Sequence, residues 1–231
     1  YTLMAAGILG YDNKRSLGLI GMHGSIAANK AVDRADLVLA IGARFSDRVA
    51  LNPKKFAKKA HKIQVDIDNS EINKNVLVDI GITADAKEFL TALLPHIKEK
   101  DHSEWVSLAT EWKKHTGDVK CQDAELHPSE IVEAVCNLTD KETIYVTDVG
   151  QHQMWAAQYL KHKKTKDFIT SGGLGTMGYG YGAAIGAQIG CPDKRVVHFT
   201  GDGSFHMNLN EACTAVSNEL PIITVIMNNR V

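Results

Sequence analysis

Short apolar runs without polar alternation recur along this chain, and segments with a helical period separate them. The run 37–41, Leu-Val-Leu-Ala-Ile, is typical, since it has five apolar side chains in a row and stops at Gly42. Strands of this kind are buried on both faces, as in sheets that carry helices on both sides. Because strand and helix patterns alternate, the sequence predicts an α/β fold built on parallel sheets.

The same patterns give approximate bounds for the elements. In the first half we expect strands at 17–20, 37–41 and 62–66, and helices at 3–9, 25–34 and 84–97. In the second half we expect strands at 143–147, 168–170, 196–200 and 222–227, and helices at 128–138, 151–160, 178–189 and 208–218.

The segment 101–123 interrupts this alternation, because it is polar and charged and has no strand pattern. We therefore predict two doubly wound parallel-sheet domains, at residues 1–100 and 126–231, joined by a linker helix within 101–125. The chain begins inside an apolar helical pattern with no capping residue, and it stops directly after an apolar run. For this reason we expect both domains to be incomplete.

Composition and spacing argue against several classes of protein. A formal net charge of −1 gives no reason to expect a nucleic-acid or membrane-surface partner. No apolar run approaches the length of about 18 residues that spans a bilayer. The four cysteines are far apart and form no Cys-x-x-Cys pair, and no His-Glu-x-x-His is present. We expect reduced cytosolic thiols and no catalytic zinc site.

Polar residues follow two successive strands of the second half. Asp202 lies between Gly201 and Gly203, and 24 residues separate Gly203 from the pair Asn228-Asn229. Those residues fill one helix and one strand, so the asparagines return beside the aspartate. Mg²⁺ prefers oxygen ligands and is commonly held by one or two protein groups together with phosphates. Asp202, Asn229 and the backbone carbonyl of Val231 are the predicted metal ligands.

A second motif supports a different hypothesis. Residues 173–178 fit the pattern G-x-G-x-x-G, follow a short strand and open a helix. Asp202 lies roughly where a ribose-binding acid would lie in a dinucleotide-binding domain. A NAD-linked Rossmann oxidoreductase therefore stays as an alternative, although it leaves the asparagine pair unexplained. A non-catalytic binding or scaffold fragment is a third reading.

The chain resembles the acetolactate synthase (acetohydroxyacid synthase) family of thiamine diphosphate (ThDP) enzymes. Gly-Asp-Gly followed by about two dozen residues and Asn-Asn is similar to the ThDP-binding motif. Four further stretches look like that family, in its order: 21–24 (Gly-Met-His-Gly), 42–49 (Gly-Ala-Arg-Phe-Ser-Asp-Arg-Val), 149–158 (Val-Gly-Gln-His-Gln-Met-Trp-Ala-Ala-Gln) and 170–180 (Thr-Ser-Gly-Gly-Leu-Gly-Thr-Met-Gly-Tyr-Gly).

The resemblance implies two cofactor sites. Met177 would be the apolar wedge that keeps ThDP bent, with its aminopyrimidine nitrogen near the thiazolium ring. The ThDP and Mg²⁺ contacts would come from Gln151, His152, Gly175, Met177, Gly201, Asp202, Gly203, Ser204, Met207 and Asn229. FAD, with a structural role, would be bound by Thr2, Leu3, Gly21, Met22, His23, Gly42, Arg44, Arg48, Val49, Asp66 and Asp85.

The activity implied by the resemblance is decarboxylation of pyruvate and carboligation to a second 2-ketoacid such as 2-ketobutyrate. The products would be 2-acetolactate or 2-aceto-2-hydroxybutyrate in branched-chain amino-acid biosynthesis. A sister activity such as that of glyoxylate carboligase stays open. The family's activating glutamate lies in a domain that this chain lacks, so we expect the chain alone to be inactive. The family further implies a homodimer or tetramer, a small regulatory subunit, and a cytoplasmic location in bacteria or an organellar one elsewhere.

Overall fold

The computed structural model describes residues 1–114, 126–162 and 167–229. These residues form two compact units, each built on one parallel sheet. The first-sheet unit consists of Thr2 and the described part of Leu17–Asp118, and the second-sheet unit consists of Tyr1, Leu3–Ser16 and the described part of Val119–Val231. Within the described ranges, none of the helices has the length and apolar character needed to cross a membrane.

The first-sheet unit has three parallel strands in the order β1-β2-β3. The strands are β1 (Leu37–Ile41), β2 (His61–Asp66) and β3 (Ile80–Thr83), and the helices are α1 (Ile26–Arg34), α2 (Ala86–Leu93) and α3 (Ser103–Lys114). Ala40 of β1 packs with Phe45, Ala50 and Val76 in one buried cluster. This cluster fixes the chain that leaves the carboxyl end of β1.

The second-sheet unit has four parallel strands in the order β5-β4-β6-β7. The strands are β4 (Ile144–Thr147), β5 (Phe168–Thr170), β6 (Val196–Thr200) and β7 (Ile223–Ile226). The helices are α4 (Pro128–Leu138), α5 (Gln151–Tyr159), α6 (Tyr179–Gly190), α7 (Asp202–Met207) and α8 (Glu211–Ser217).

Helices cover both faces of the second sheet. Tyr145 and Phe199 pack into one cluster with residues of α4 and α5, whereas Val146 and Val196 pack into another with Ala184 of α6. Every residue of β4 and β6 is buried. The two-sided burial explains why these strands read as apolar runs. The predicted α/β class with parallel sheets and flanking helices is confirmed.

Most predicted elements are present near their expected bounds, but two predictions were wrong. Residues 17–20 form no strand, and the helix predicted at 3–9 is only a 3-10 turn at Leu3–Ala5. The helix predicted at 208–218 is present but begins at Glu211, and α7, just before it, was not predicted. Strand β3 was missed. The residues 115–125 of the predicted linker lie outside the described ranges, and the predicted domain bounds stay predictions.

The error at 17–20 has a local cause. Gly18 has a φ of +90°, which takes the backbone out of the extended region. The carbonyls of Leu17 and Leu19 accept hydrogen bonds from the hydroxyl and the backbone N–H of Ser25 (2.5 and 2.8 Å). Ser25 is the N-cap of α1. The segment is thus bonded to the start of a helix and not to a neighbouring strand.

Candidate cofactor sites

The strand order of the second sheet creates a crevice between the carboxyl ends of β4 and β6. From β4 the chain moves to β5 on one side, and then crosses to β6 on the other. Such a switch point is where open α/β sheets bind ligands. Gln151 begins α5 directly after β4, and Asp202 begins α7 directly after β6. The side chain of Asn229, beyond β7, lies 3.5 Å from that of Gln151.

The loops on either side of this crevice are bonded to each other. The hydroxyl of Ser204 in α7 donates to the carbonyl of Val149 after β4 (2.8 Å). A Cβ added to Gly201 would lie 3.0 Å from Nδ1 of His152, so the imidazole ring lies directly against the Gly201 backbone. The glycine therefore permits the close approach of α5 to the start of α7.

Met177, in the turn between β5 and α6, is 43% exposed. Its terminal methyl is 3.9 Å from the position that a Cβ of Gly203 would occupy. The following residue, Gly178, has a φ of +84°, and a Cβ there would lie 3.1 Å from Cβ of Met207. Gly175 also has a positive φ, of +73°, with open space around it. The predicted ThDP residues of the two glycine-rich turns are thus brought together.

A buried aspartate that was not among the predicted site residues joins these turns. Asp148 directly follows β4, is 1% exposed, and accepts hydrogen bonds from the N–H groups of Val149 (3.0 Å), Gly178 (2.8 Å) and Gly180 (3.2 Å). Its own N–H donates to the carbonyl of Phe199 in β6 (2.9 Å). The carboxylate therefore connects the end of β4 to the first turn of α6.

Two buried histidines lie beside this carboxylate. Burial lowers the pKa of His198 to about 4, although Asp148 opposes the shift, with His198 Nε2 3.9 Å from Asp148 Oδ2. Burial also lowers the pKa of His152, against the opposing effects of Asp148 and Asp202. Both rings are therefore neutral near pH 7. Nε2 of His152 and both ring nitrogens of His198 have no hydrogen-bond partner among the described residues.

The same geometry weakens the dinucleotide-binding alternative. The G-x-G-x-x-G motif does connect β5 to α6, as that hypothesis requires. In a Rossmann site the pyrophosphate binds at the N-terminus of the helix that follows the motif. Here the N–H groups of Gly178 and Gly180 already donate to the buried carboxylate of Asp148. A pyrophosphate in that position would lose these donors and meet a like charge.

In the first-sheet unit, the two loops that contain the predicted FAD residues 21–23 and 48–49 lie together. The N–H of Met22 donates to the carbonyl of Arg48 (2.8 Å), and Nη1 of Arg48 is 3.3 Å from the sulfur of Met22. Burial and the nearby charge of Arg48 lower the pKa of His23. Gly21 is buried, and a Cβ there would lie 2.2 Å from the Arg48 carbonyl and 3.0 Å from Cα of Val49.

Four other predicted FAD residues lie at the carboxyl edge of the first sheet. Gly42, with a φ of +61° and open space around it, and Arg44 follow β1. Asp66 ends β2, and its Oδ1 accepts from the N–H of Asp68 (3.0 Å). Asp85 caps α2 by accepting from the N–H groups of residues 87 and 88 (2.8 and 3.1 Å). Both carboxylates thus have local structural partners as well.

Three predicted site residues remain to be placed. A Cβ added to Gly172 would lie 3.0 Å from the side chain of Leu3, so Leu3 packs within the second-sheet unit. Thr2 belongs to the first-sheet unit, and Val231 lies outside the described residues. Within the described ranges, no group of three or more His, Cys, Asp or Glu side chains can hold a metal ion. The predicted metal set has a single carboxylate and depends on ligand oxygens.

Two family models match separate parts of the chain. Residues 1–93 match the model of the thiamine pyrophosphate enzyme central domain, and residues 148–231 match the C-terminal TPP binding domain. Thiamine pyrophosphate is another name for ThDP. The chain therefore belongs to the thiamine pyrophosphate enzyme family, of which it has central and C-terminal domains.

Curated relatives narrow the similarity further. The chain is 43% identical over 236 residues to acetolactate synthase 1, chloroplastic, of Nicotiana tabacum, covering 99% of the chain and 35% of that protein. It is 42% identical to the acetolactate synthase large subunit of Lactococcus lactis and 40% identical to acetolactate synthase isozyme 1 large subunit of Escherichia coli, with 99% of the chain covered and 40% and 41% of those proteins. The chain thus spans roughly two fifths of the length of these relatives.

Proposed function

We propose that this chain supplies the diphosphate- and Mg²⁺-binding part of an acetolactate synthase, which decarboxylates pyruvate and joins the product to a second 2-ketoacid. The single observation that carries the proposal is the set of polar side chains around the β4–β6 switch point. Gln151 and Asn229 approach to 3.5 Å, and Asp202 begins the helix that follows the strand between them. The acetolactate synthase relatives support the choice of reaction.

The residues present fit a diphosphate and a hard cation. Asp202 offers a carboxylate and Asn229 an amide oxygen, both suited to Mg²⁺ that also binds phosphate oxygens. Nε2 of His152 is buried and has no hydrogen-bond partner in the described part of the chain, so it is available to a ligand. A Cβ added to Gly203 would lie 3.9 Å from the terminal methyl of Met177, so the glycine keeps the space beside this methyl open. The backbone carbonyl of Val231 completes the proposed metal set.

Each group has a distinct task in this proposal. ThDP, when bound, supplies the electron sink that makes loss of CO₂ from a 2-ketoacid feasible. Gln151 and His152 orient the diphosphate, and Asp202 and Asn229 hold the cation that neutralises it. Met177 presents an apolar surface that fixes the shape of the bound cofactor and excludes water. In the first-sheet unit, Arg44 and Arg48 provide cationic groups for the diphosphate of FAD.

Partners and location follow from the relatives and stay part of the proposal. Two of the relatives are named large subunits, which supports a small regulatory subunit as partner. We propose a homodimer or tetramer of the complete polypeptide, with pyruvate and 2-ketobutyrate as substrates. Bacterial and chloroplastic relatives are both similar to the chain, so we propose a cytoplasmic location in a bacterium and an organellar one in a plant.

The test is titration of ThDP, with and without Mg²⁺, into the natural polypeptide that carries this chain. We expect Mg²⁺-dependent binding that Asp202→Ala weakens at least tenfold, because the variant lacks the only carboxylate among the metal ligands. The matched control is Asp193→Ala, which removes an exposed carboxylate just before the opposite end of β6. NADH binding that is indifferent to Mg²⁺ would overturn the proposal.

Turnover assays separate the related activities. The natural polypeptide should form 2-acetolactate from pyruvate, and Asp202→Ala should abolish that product. Formation of product from glyoxylate but not from pyruvate would instead favour a glyoxylate carboligase. The 231-residue chain on its own should release no 2-acetolactate even with every cofactor supplied, and turnover by that chain would contradict the role given to a further domain.

A further inference from the structure

The carboxylate of Asp148 holds the backbone on the carboxyl side of Met177. The N–H of Gly178, which belongs to the peptide bond after Met177, donates to Asp148 Oδ1 at 2.8 Å. The N–H of Gly180 donates to Oδ2 at 3.2 Å. Both oxygens of one buried carboxylate are thus used on a single turn. Hydrogen bonds to an ionised acceptor are stronger than neutral ones, and the buried setting strengthens them further.

The turn is held from its other side as well. The amide nitrogen of Asn208, just after α7, donates to the carbonyl of Gly178 (2.5 Å). The N–H and the carbonyl of Gly178 therefore both have side-chain partners, from two different parts of the unit. Gly178 can adopt the required φ of +84° because it has no Cβ. Rotation of the backbone at this residue would break at least one of these bonds.

This arrangement determines where Met177 can lie. Its methyl group is 3.9 Å from the Cβ position of Gly203, so the side chain leans over the Gly-Asp-Gly turn. The residues just before it are bonded locally, because the N–H groups of Gly175 and Thr176 donate to the carbonyl and the hydroxyl of Ser171 (3.0 and 3.1 Å). The long-range hydrogen bonds that tie this turn to β4 and α7 lie on the carboxyl side of Met177, at Gly178. Asp148 itself is fixed, because its N–H bonds to β6 and its side chain is buried.

We propose that Asp148 and Asn208 are positioning residues that fix the backbone at Met177 and thereby set the affinity of the second-sheet crevice for ThDP. Neither residue contacts the cofactor in this proposal. The inference depends on the proposed function for the identity of the ligand. The hydrogen-bonded clamp on Gly178 and Gly180 does not depend on that function.

Two isosteric variants and one control test the proposal in the natural polypeptide. Asp148→Asn replaces one accepting oxygen by an N–H₂ group, which faces a backbone donor. Asn208→Asp removes the donor to Gly178. The control is Asp140→Asn, at the opposite end of β4, where an exposed carboxylate accepts from the N–H of Glu142 (2.8 Å) and the hydroxyl of Thr143 (3.1 Å).

The first measurement is hydrogen exchange of the peptides covering 171–182 without cofactor, and the second is the Kd for ThDP with Mg²⁺. We expect Asp148→Asn to accelerate exchange at Gly178 and Gly180 and to raise the Kd, each by about tenfold or more, because a charge-assisted hydrogen bond is lost. Asn208→Asp should raise the Kd in the same direction, and Asp140→Asn should change neither quantity.

The outcomes separate the two proposals. An unchanged Kd in both variants, with or without faster exchange, would overturn the positioning role. If Asp148→Asn accelerates exchange throughout the second-sheet unit, the variant destabilises the whole unit and its Kd is not informative. The Kd of Asn208→Asp then decides, and an unchanged value overturns the inference. If the unaltered polypeptide binds no ThDP, the proposed function fails, whereas exchange at Gly178 and Gly180 still supports or overturns the clamp.

Discussion

Glycine-containing turns serve the candidate sites of both units, but the two units hold these turns by different means. In the second-sheet unit the turn at Gly178 is held by the buried carboxylate of Asp148. In the first-sheet unit the turn at Gly21 is held by the exposed residue Asn29 of α1. The Asn29 amide accepts from the N–H of Gly21 (3.0 Å) and donates to its carbonyl (2.9 Å). A buried charge and an exposed neutral amide thus perform similar structural tasks.

The difference teaches where each unit is sensitive to change. Water can replace an exposed amide, so loss of Asn29 costs little beyond its two hydrogen bonds. A buried carboxylate and the groups around it have no access to water. Disturbing them leaves donors, acceptors or a charge without partners, which is far more costly. Asp148, which holds the turn of the second-sheet unit, should therefore tolerate substitution less well than Asn29, which holds the turn of the first-sheet unit.

The largest effect should come from Gly180→Ala. A Cβ there would lie 2.4 Å from Nε2 of His198 and 2.8 Å from the backbone nitrogen of Asp148. Because backbone cannot easily yield, we expect a loss on the order of 4 kcal/mol in the free energy of unfolding, above the usual cost of overpacking. Gly182→Ala in the same helix meets no atom within 4 Å. That variant should be stabilised by about 0.5–1 kcal/mol, because alanine is the better helix former. Chemical denaturation measures the free energy of unfolding of both variants. Equal values would contradict the crowding at Gly180.

The second largest effect should be a pH dependence of the free energy of unfolding caused by His198. This residue faces Asp148, His152 and the ring of Tyr181. Its pKa in the folded protein is about 4, below the ordinary value of 6.5, so the unfolded chain takes up the proton first as pH falls. The stability contribution is complete above pH 6.5 and declines by about 3 kcal/mol by pH 4. His198→Gln should flatten the stability of the second-sheet unit across that window.

Hydrogen exchange within each unit, measured at several pH values, gives the dependence of the free energy of unfolding on pH. His96→Gln provides the control, because His96 is an exposed residue of a 3-10 helix in the first-sheet unit. A slope between pH 6.5 and 4 that persists in His198→Gln would show that other groups cause it.

The smallest effect should come from Asn29→Ala. It removes both bonds to Gly21 but gains helix propensity in α1, so we expect a net loss of about 1 kcal/mol and faster exchange at residues 19–24. Lys30→Ala, next to it on the exposed surface of α1, should be neutral. A loss in Asn29→Ala as large as that in Gly180→Ala would remove the contrast between the two units.

The sequence predicted best what depends on short-range pattern. Strands β1, β4 and β6 are mostly apolar runs, and Ser25 and Pro128 mark the starts of α1 and α4. Strand β3 escaped notice because Gly81 weakens its pattern. That glycine is explained only by the fold, since a Cβ there would lie 2.3 Å from Cγ2 of Ile72.

The candidate sites were predictable where a residue type signals its chemistry. Asp202 and Asn229 stood out because oxygen ligands followed neighbouring strands. Asp148 also follows a strand, but nothing in its neighbours shows that it is buried or that it bonds to a turn 30 residues away. Asn29 looks like an ordinary polar residue on the surface of a helix. Residues that hold a site through long-range hydrogen bonds carry no local signal, so the sequence alone did not identify them.

The carboxylate of Asp148 is in effect an intramolecular ligand of the N–H groups at the start of α6. Its effective concentration at the N–H groups of Gly178 and Gly180 is set by the rigid end of β4. Even short flexible tethers give effective concentrations in the millimolar range, and a pre-organised one exceeds them. A free phosphate or sulfate would have to displace this resident group before it could use the start of α6. The N–H groups of Gly178 and Gly180 are therefore occupied by the protein itself, and a mobile anion must bind at another part of the crevice.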